Sequence, residues 1–220
     1  MKRDALSLLL EGADFFSLSL SPVTLSILDL YLVELQRWAL VFNLVGQHDT
    51  TTVIQRHILD SLAISHLLPS RGSFVDLGSG AGFPGFILAA LEPGRKYVLV
   101  EARRKRANFL REVARSTGIR NIIVREERAE SLSKQNGLVS EFDVATTRAT
   151  WSTSQFLEFS SFFLKVDGLA LAMQGPGKGE STLMTDADCH ALGFDLESTH
   201  DYPLPFGVGD RRALIFRKRH

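Results

Sequence analysis

The chain has 220 residues, 45% of them hydrophobic and 23% charged, with 25 basic residues balanced by 25 acidic ones. This size and mix fit one good-sized globular domain, or a domain with an appended element, and exclude a disordered or fibrous chain. A neutral balance excludes a global positive field, so any nucleic-acid partner must be met by local patches, and the single Cys189 excludes an internal disulfide and a cysteine-rich zinc site.

No metal is expected, and a lone cysteine fits a reducing cytoplasm, where the protein is expected to work as a monomer. The first apolar run, bracketed by Asp4 and Glu11, is too short for a signal peptide, and no run is long enough to span a membrane. A short helix is expected near the N-terminus. From Ser21 to Asn43, Leu25, Leu28, Leu32, Leu35, Ala39 and Phe42 alternate three and four apart, which predicts a long amphipathic helix. Ser21 is its N-cap and Pro22 its first residue. "TTVIQRHILDSLAISHLL" predicts further helix up to Pro69, so residues 1–70 read as a helical cap and 71–220 as the main domain.

From Ser73 the pattern becomes β-rich runs alternating with helical stretches: "SFVDL", "KYVLVE", "NIIVRE", "FDVATT" and "GLALAMQ". The clearest helix between them, "RRKRANFLREVARSTG", stops at Gly118. Such alternation predicts an α/β fold with a parallel sheet covered on both faces. "GPGKGE" reads as a loop and Thr185 to Leu192 as a weak helix. Two last strands, in "FDLESTHDYPL" and "RRALIFRK", have a connection short enough for an antiparallel hairpin.

The stretch "FVDLGSGAGFPG" follows the first strand and carries glycines at 78, 80, 82 and 85. Glycine permits positive φ and lets backbone amides approach a ligand, whereas a purely structural turn needs one or two glycines at most. No Lys-Ser or Lys-Thr pair follows, which excludes a P-loop, but Gly80, Gly82 and Gly85 match the dinucleotide pattern G-x-G-x-x-G. Asp76, at the end of the strand, can approach a cationic ligand and would repel a pyrophosphate. Glu101, ending the second strand, is placed to accept hydrogen bonds from ribose hydroxyls, which suits either cofactor. Charge favours S-adenosylmethionine, and a parallel sheet closed by a late antiparallel hairpin resembles the outline of the S-adenosylmethionine-dependent methyltransferase fold. An NAD-dependent oxidoreductase remains the rival reading.

Taken together, "FNLVG", "RHILDSL", "FVDLGSGAGFPG", "LVEARRKRANFLREV", "RAES" and "TTRA" resemble the glucose-inhibited division protein B family, from about Tyr31 to Gly175. That resemblance implies the Rossmann-like methyltransferase fold and S-adenosylmethionine-dependent methylation of N7 of a guanine in the 16S RNA of the small ribosomal subunit. It implies that Gly78 and Phe83, within a loop that includes Ser79, Gly80 and Gly82, touch the cofactor. Ala129 and Glu130 would flank its adenine, Arg148 would face the active site, His57 would lie near the target base, and Arg211 would contact RNA. Two positions depart from the family: Gln174 stands before Gly175 where a lysine is usual, at a place expected to meet RNA, and Val45 replaces a usual threonine. A cofactor-binding, ribosome-associated protein with weakened or lost catalysis is therefore a second reading.

Guanine N7 has a free lone pair, so its methylation needs no general base, and none is evident. Arg148 is expected to act as a fixed cation for the methionine carboxylate or an RNA phosphate. The basic runs Arg103 to Arg106 and Arg211 to Arg219 read either as RNA-backbone contacts or as solvated faces.

Overall fold

The computed structural model describes residues 3–42, 44, 46, 49–132, 138–175 and 184–220. Seven strands form one sheet: β1 (Ser73–Leu77), β2 (Lys96–Val100), β3 (Ile122–Arg125), β4 (Phe142–Arg148), β5 (Leu164–Gln174), β6 (Phe194–Leu204) and β7 (Gly209–Lys218). Their order is β3-β2-β1-β4-β5-β7-β6. The first five run parallel, and β7 lies antiparallel to both β5 and β6. This is the mostly parallel sheet closed by an antiparallel hairpin that the sequence predicts.

Before the sheet come α1 (Arg3–Phe15), α2 (Pro22–Ala39), α3 (Thr50–Val53) and α4 (Leu59–Ala63). Ser21 caps α2 by accepting from the Thr24 amide, with Pro22 next, so its start is where the sequence puts it. The helix ends at Ala39, and the stripe to Phe42 continues only as turns onto the Trp38 carbonyl. A single helix over 51–68 is not what forms: a π-helical turn, Ile54–Ile58, separates α3 from α4, and a 3₁₀ turn, Ser65–Leu67, follows. The apolar spacing accounts for it. Val53 and Ile58, and Ile54 and Leu59, stand five apart and all are fully buried, which fits the wider i to i+5 turn.

Along the sheet come α5 (Gly85–Leu91), α6 (Arg104–Thr117), α7 (Ala129–Leu132), α8 (Thr153–Phe163) and α9 (Asp186–Ala191). Gly118 ends α6 at φ +70°, the left-handed conformation that glycine takes without strain. Strand side chains alternate between two faces. One face buries Phe74, Leu99, Val144, Met173 and Ile215 against α5, α6 and the N-terminal helices, through Leu28, Tyr31 and Phe109. The other buries Val75, Val98, Ala145, Ala172 and Leu214 against α7, α8 and α9. The N-terminal helices thus share a core with the sheet, and this parity decides which site residues can meet. Among the described residues no helix is long and apolar enough to cross a membrane.

Candidate active site

The turn after β1 is held by its own backbone. The Ser79 amide donates to the Val100 carbonyl at 3.0 Å, and its hydroxyl donates to the Asp76 carbonyl at 2.9 Å. From the helical side, the fully buried Tyr31 donates its hydroxyl to the Ala81 carbonyl at 2.7 Å. Gly78 has φ +68°, and a Cβ there would fall 2.6 Å from Thr150 Cγ2, so the next loop closes directly on this glycine. Gly80 differs: at φ +59° a Cβ would meet only Arg106 Nη1 and the Gly78 carbonyl, both at the ordinary contact distance of 3.9 Å.

A cavity of about 340 Å³ opens at the carboxyl ends of β1, β2 and β4, where parallel sheets collect ligands. Its walls include Gly78, Glu101, Ala129, Glu130, Thr150 and Trp151, with Arg103 and Arg106 from the start of α6. Both Glu101 oxygens accept backbone amides, from Gly80 at 2.9 Å and Arg103 at 2.7 Å. A carboxylate has about four lone-pair sites, so acceptor capacity remains for a bound diol. The cavity size and this acceptor fit a nucleoside-bearing cofactor. Arg103 and Arg106, read from sequence as a basic run, belong to the cavity wall.

Asp76 sits behind the loop. It is 1% exposed, with one oxygen accepting from Thr146 Oγ1 at 2.9 Å and the other from the Gly85 amide at 3.1 Å. Burial pushes its pKa up to about 6, against the opposing pull of these hydrogen bonds. The expected direct approach to a cationic ligand is therefore not its geometry, because its carboxylate is spent on joining β1, β4 and α5.

A second cluster lies on the face that carries the N-terminal helices. Arg148, at the end of β4, donates to Asp60 Oδ2 at 3.3 Å, to the Arg56 carbonyl at 3.3 Å and to His57 Nδ1 at 2.9 Å. Its guanidinium carbon stands 4.9 Å from the centre of the Phe83 ring, and the His57 ring stands 5.0 Å from the same ring. Asp60 also accepts from the Tyr202 hydroxyl at 2.9 Å and faces Arg211 at 3.7 Å. Burial raises the Asp60 pKa, while Arg148, Tyr202 and Arg211 pull it down. Burial also pushes the His57 pKa down to about 3, with Arg148 adding to the effect.

The expected residues thus fall into two groups joined by the glycine loop. Gly78, Glu101, Ala129 and Glu130 surround the cavity, whereas His57, Phe83, Arg148 and Arg211 form the second cluster. Gln174 joins neither. Arg148 pairs with Met173, so the next residue, Gln174, points to the opposite face, where its amide donates to Thr153 Oγ1 at 3.1 Å. Val45 and most of "GPGKGE" lie outside the described residues. The sequence reading missed Asp60 and Tyr202. A carboxylate inside the apolar run of "RHILDSL" was the one signal for Asp60.

Comparison with known proteins settles the kinship. The model of the family described as rRNA small subunit methyltransferase G matches residues 24–204. This chain belongs to that family. A relative named Ribosomal RNA small subunit methyltransferase G in Halorhodospira halophila is 37% identical over 199 residues, 90% of each chain. Its namesake in Carboxydothermus hydrogenoformans is 34% identical over 178 residues, 80% of this chain and 76% of the relative. Among solved structures, M. jannaschii TYW2 in complex with AdoMet aligns with a TM-score of 0.57 at 15% identity, covering 74% of this chain and 76% of that one. An Aquifex aeolicus SAM-dependent methyltransferase aligns at 0.54 and 14% identity, covering 75% and 92%. The family's fold here is that of the S-adenosylmethionine-dependent methyltransferases.

Proposed function

We propose that this protein transfers a methyl group from S-adenosylmethionine to N7 of a guanine in the 16S RNA of the small ribosomal subunit. The observation that carries the reading is the Glu101 carboxylate, held by the Gly80 and Arg103 amides, in the wall of a cavity at the sheet's carboxyl edge, in a chain of this family. S-adenosylmethionine, when bound, supplies a methyl group on a sulfonium centre. Gly78, Ser79, Gly80 and Gly82 form the loop around it, Glu101 accepts from the ribose hydroxyls, and Ala129 and Glu130 border the adenine. Asp76 holds the loop from behind. Phe83 and Arg148 border the cofactor from the side that carries the N-terminal helices, and His57 and Arg211 beside them form the wall on the target side, with Arg148 paired to Asp60 and keeping part of its donor capacity for the methionine carboxylate or an RNA phosphate.

Guanine N7 attacks through a lone pair that carries no proton, so these residues have no proton to remove at that atom. Their task is orientation, which in well-aligned reactants contributes roughly 7–11 kcal/mol to lowering a barrier. Incubation of the protein with methyl-labelled S-adenosylmethionine and unmodified ribosomal subunits tests the reading. Label is expected in small-subunit RNA and absent from the large subunit. Cofactor binding without transfer would favour the ribosome-associated, non-catalytic alternative.

A further inference from the structure

The contact between Arg148 and His57 fixes more than a position. An arginine side chain has only donors, so at 2.9 Å from its Nη2 the His57 Nδ1 must accept. A neutral imidazole with an accepting Nδ1 carries its proton on Nε2. Protonation of the ring would set N–H against N–H, in keeping with the low pKa that burial and the neighbouring arginines impose. Arg148 is itself held, by Asp60 and the Arg56 carbonyl, and Asp60 by Tyr202. The imidazole lies tilted by 31° over Phe83 from a π-helical turn, a distortion common at functional sites. The Arg56 carbonyl also lies near the ring and raises its pKa against burial and the arginines, and the half-buried ring has no side-chain hydrogen bond at Nε2 among the described residues. With Nδ1 given to Arg148, the donor left to the ring beside the glycine loop is Nε2–H.

The Hoogsteen edge of guanine presents two acceptors, N7 and O6, whereas adenine presents N7 and an amino donor. We propose that His57, with Nδ1 committed to Arg148, presents Nε2–H as the donor that reads O6 of the target guanine. This rests on the proposed function, because it takes guanine N7 as the methylated atom. The donor bonds O6 and leaves the N7 lone pair free for the methyl group. Against adenine it would meet a second donor, so the same atom selects and rejects. Arg148 and Asp60 are positioning residues in this scheme, acting through the imidazole.

Two measurements on the full chain test it. Ring nitrogen NMR of the labelled protein, with His57→Gln used for assignment, is expected to show a neutral Nε2–H tautomer from about pH 8 to about pH 5. An Nδ1–H tautomer or a charged ring there would overturn the proposal. Single-turnover methylation of unmodified small subunits is then compared for two variants. His57→Phe keeps a ring over Phe83 without a donor and is expected to lose about tenfold in rate at unchanged cofactor affinity. His57→Gln places an amide nitrogen near the Nε2 position and is expected to stay within about threefold of wild type. Wild-type rates in His57→Phe, or equal losses in both variants, would overturn the donor role while leaving the proposed function standing. Wild-type methylation at an atom other than guanine N7 would overturn the proposed function, and the reading of O6 with it.

Discussion

Arg148 and Asp60, 88 residues apart in sequence, meet at 3.3 Å and join the end of β4 to α4. Asp60 is 4% exposed, and its other partners, Tyr202 and Arg211, come from the β6–β7 hairpin. One carboxylate thus binds the N-terminal helices, the parallel sheet and the antiparallel hairpin together. Forming a buried ion pair gains little net free energy, because desolvation offsets the attraction, but removing one partner leaves uncompensated charge. Asp60→Ala is expected to lower stability by about 3–5 kcal/mol in urea denaturation. Tyr202→Phe, which removes one hydroxyl donor to a charged acceptor, should cost about 1.5–3 kcal/mol. A loss below about 1 kcal/mol for Asp60→Ala would show that the cluster is not a structural joint.

Asp76 predicts a pH dependence with a definite sign. Burial raises its pKa from 3.8 to about 6 in the folded state, so the folded protein binds this proton more tightly than the unfolded chain does. The resulting stabilisation is complete below about pH 4 and is lost as pH rises through about 6. Asp76→Asn carries no such charge, and its amide can serve both Thr146 and Gly85. The variant's stability relative to wild type should therefore rise by on the order of 3 kcal/mol between about pH 4 and about pH 7. A flat difference across that range would place the Asp76 pKa near its ordinary value.

The two groups proposed to hold the cofactor, Gly80 and Glu101, face each other across the turn. Gly80→Val puts a β-branched side chain at φ +59°, and calorimetry is expected to show no measurable affinity for S-adenosylhomocysteine. Glu101→Gln replaces an acceptor of two backbone amides by a group with one acceptor oxygen. Loss of a charge-assisted hydrogen bond of roughly 1.5–3 kcal/mol should weaken binding by about tenfold to a hundredfold. Undiminished affinity in a folded Gly80→Val variant would make the loop purely structural.

Local signals in the sequence carried most of the architecture. Every strand was legible as a β-rich run, the start of α2 in Ser21 and Pro22, the end of α6 in Gly118, and the cavity in the glycine loop with Glu101. What could not be read depends on distance and on strand parity. Tyr202 reaches Asp60 across 142 residues, a pairing that only the assembled sheet creates. Gln174 looked like a substitution within the active site, yet alternation along β5 turns it to the face opposite Arg148. The π-helical turn also escaped, because residues five apart in an apolar run read equally well as an ordinary helix.

Whether the methyl group reaches N7 of a guanine is read from the modified nucleoside itself. Small subunits lacking the modification would be incubated with the protein and S-adenosylmethionine, and their RNA digested to nucleosides and analysed by mass spectrometry against authentic standards. 7-Methylguanosine is expected, formed by wild type and absent with Gly80→Val. A methyl group on a base carbon, an exocyclic amine or a ribose hydroxyl would contradict it, since each of those targets must lose a proton, whereas guanine N7 carries none.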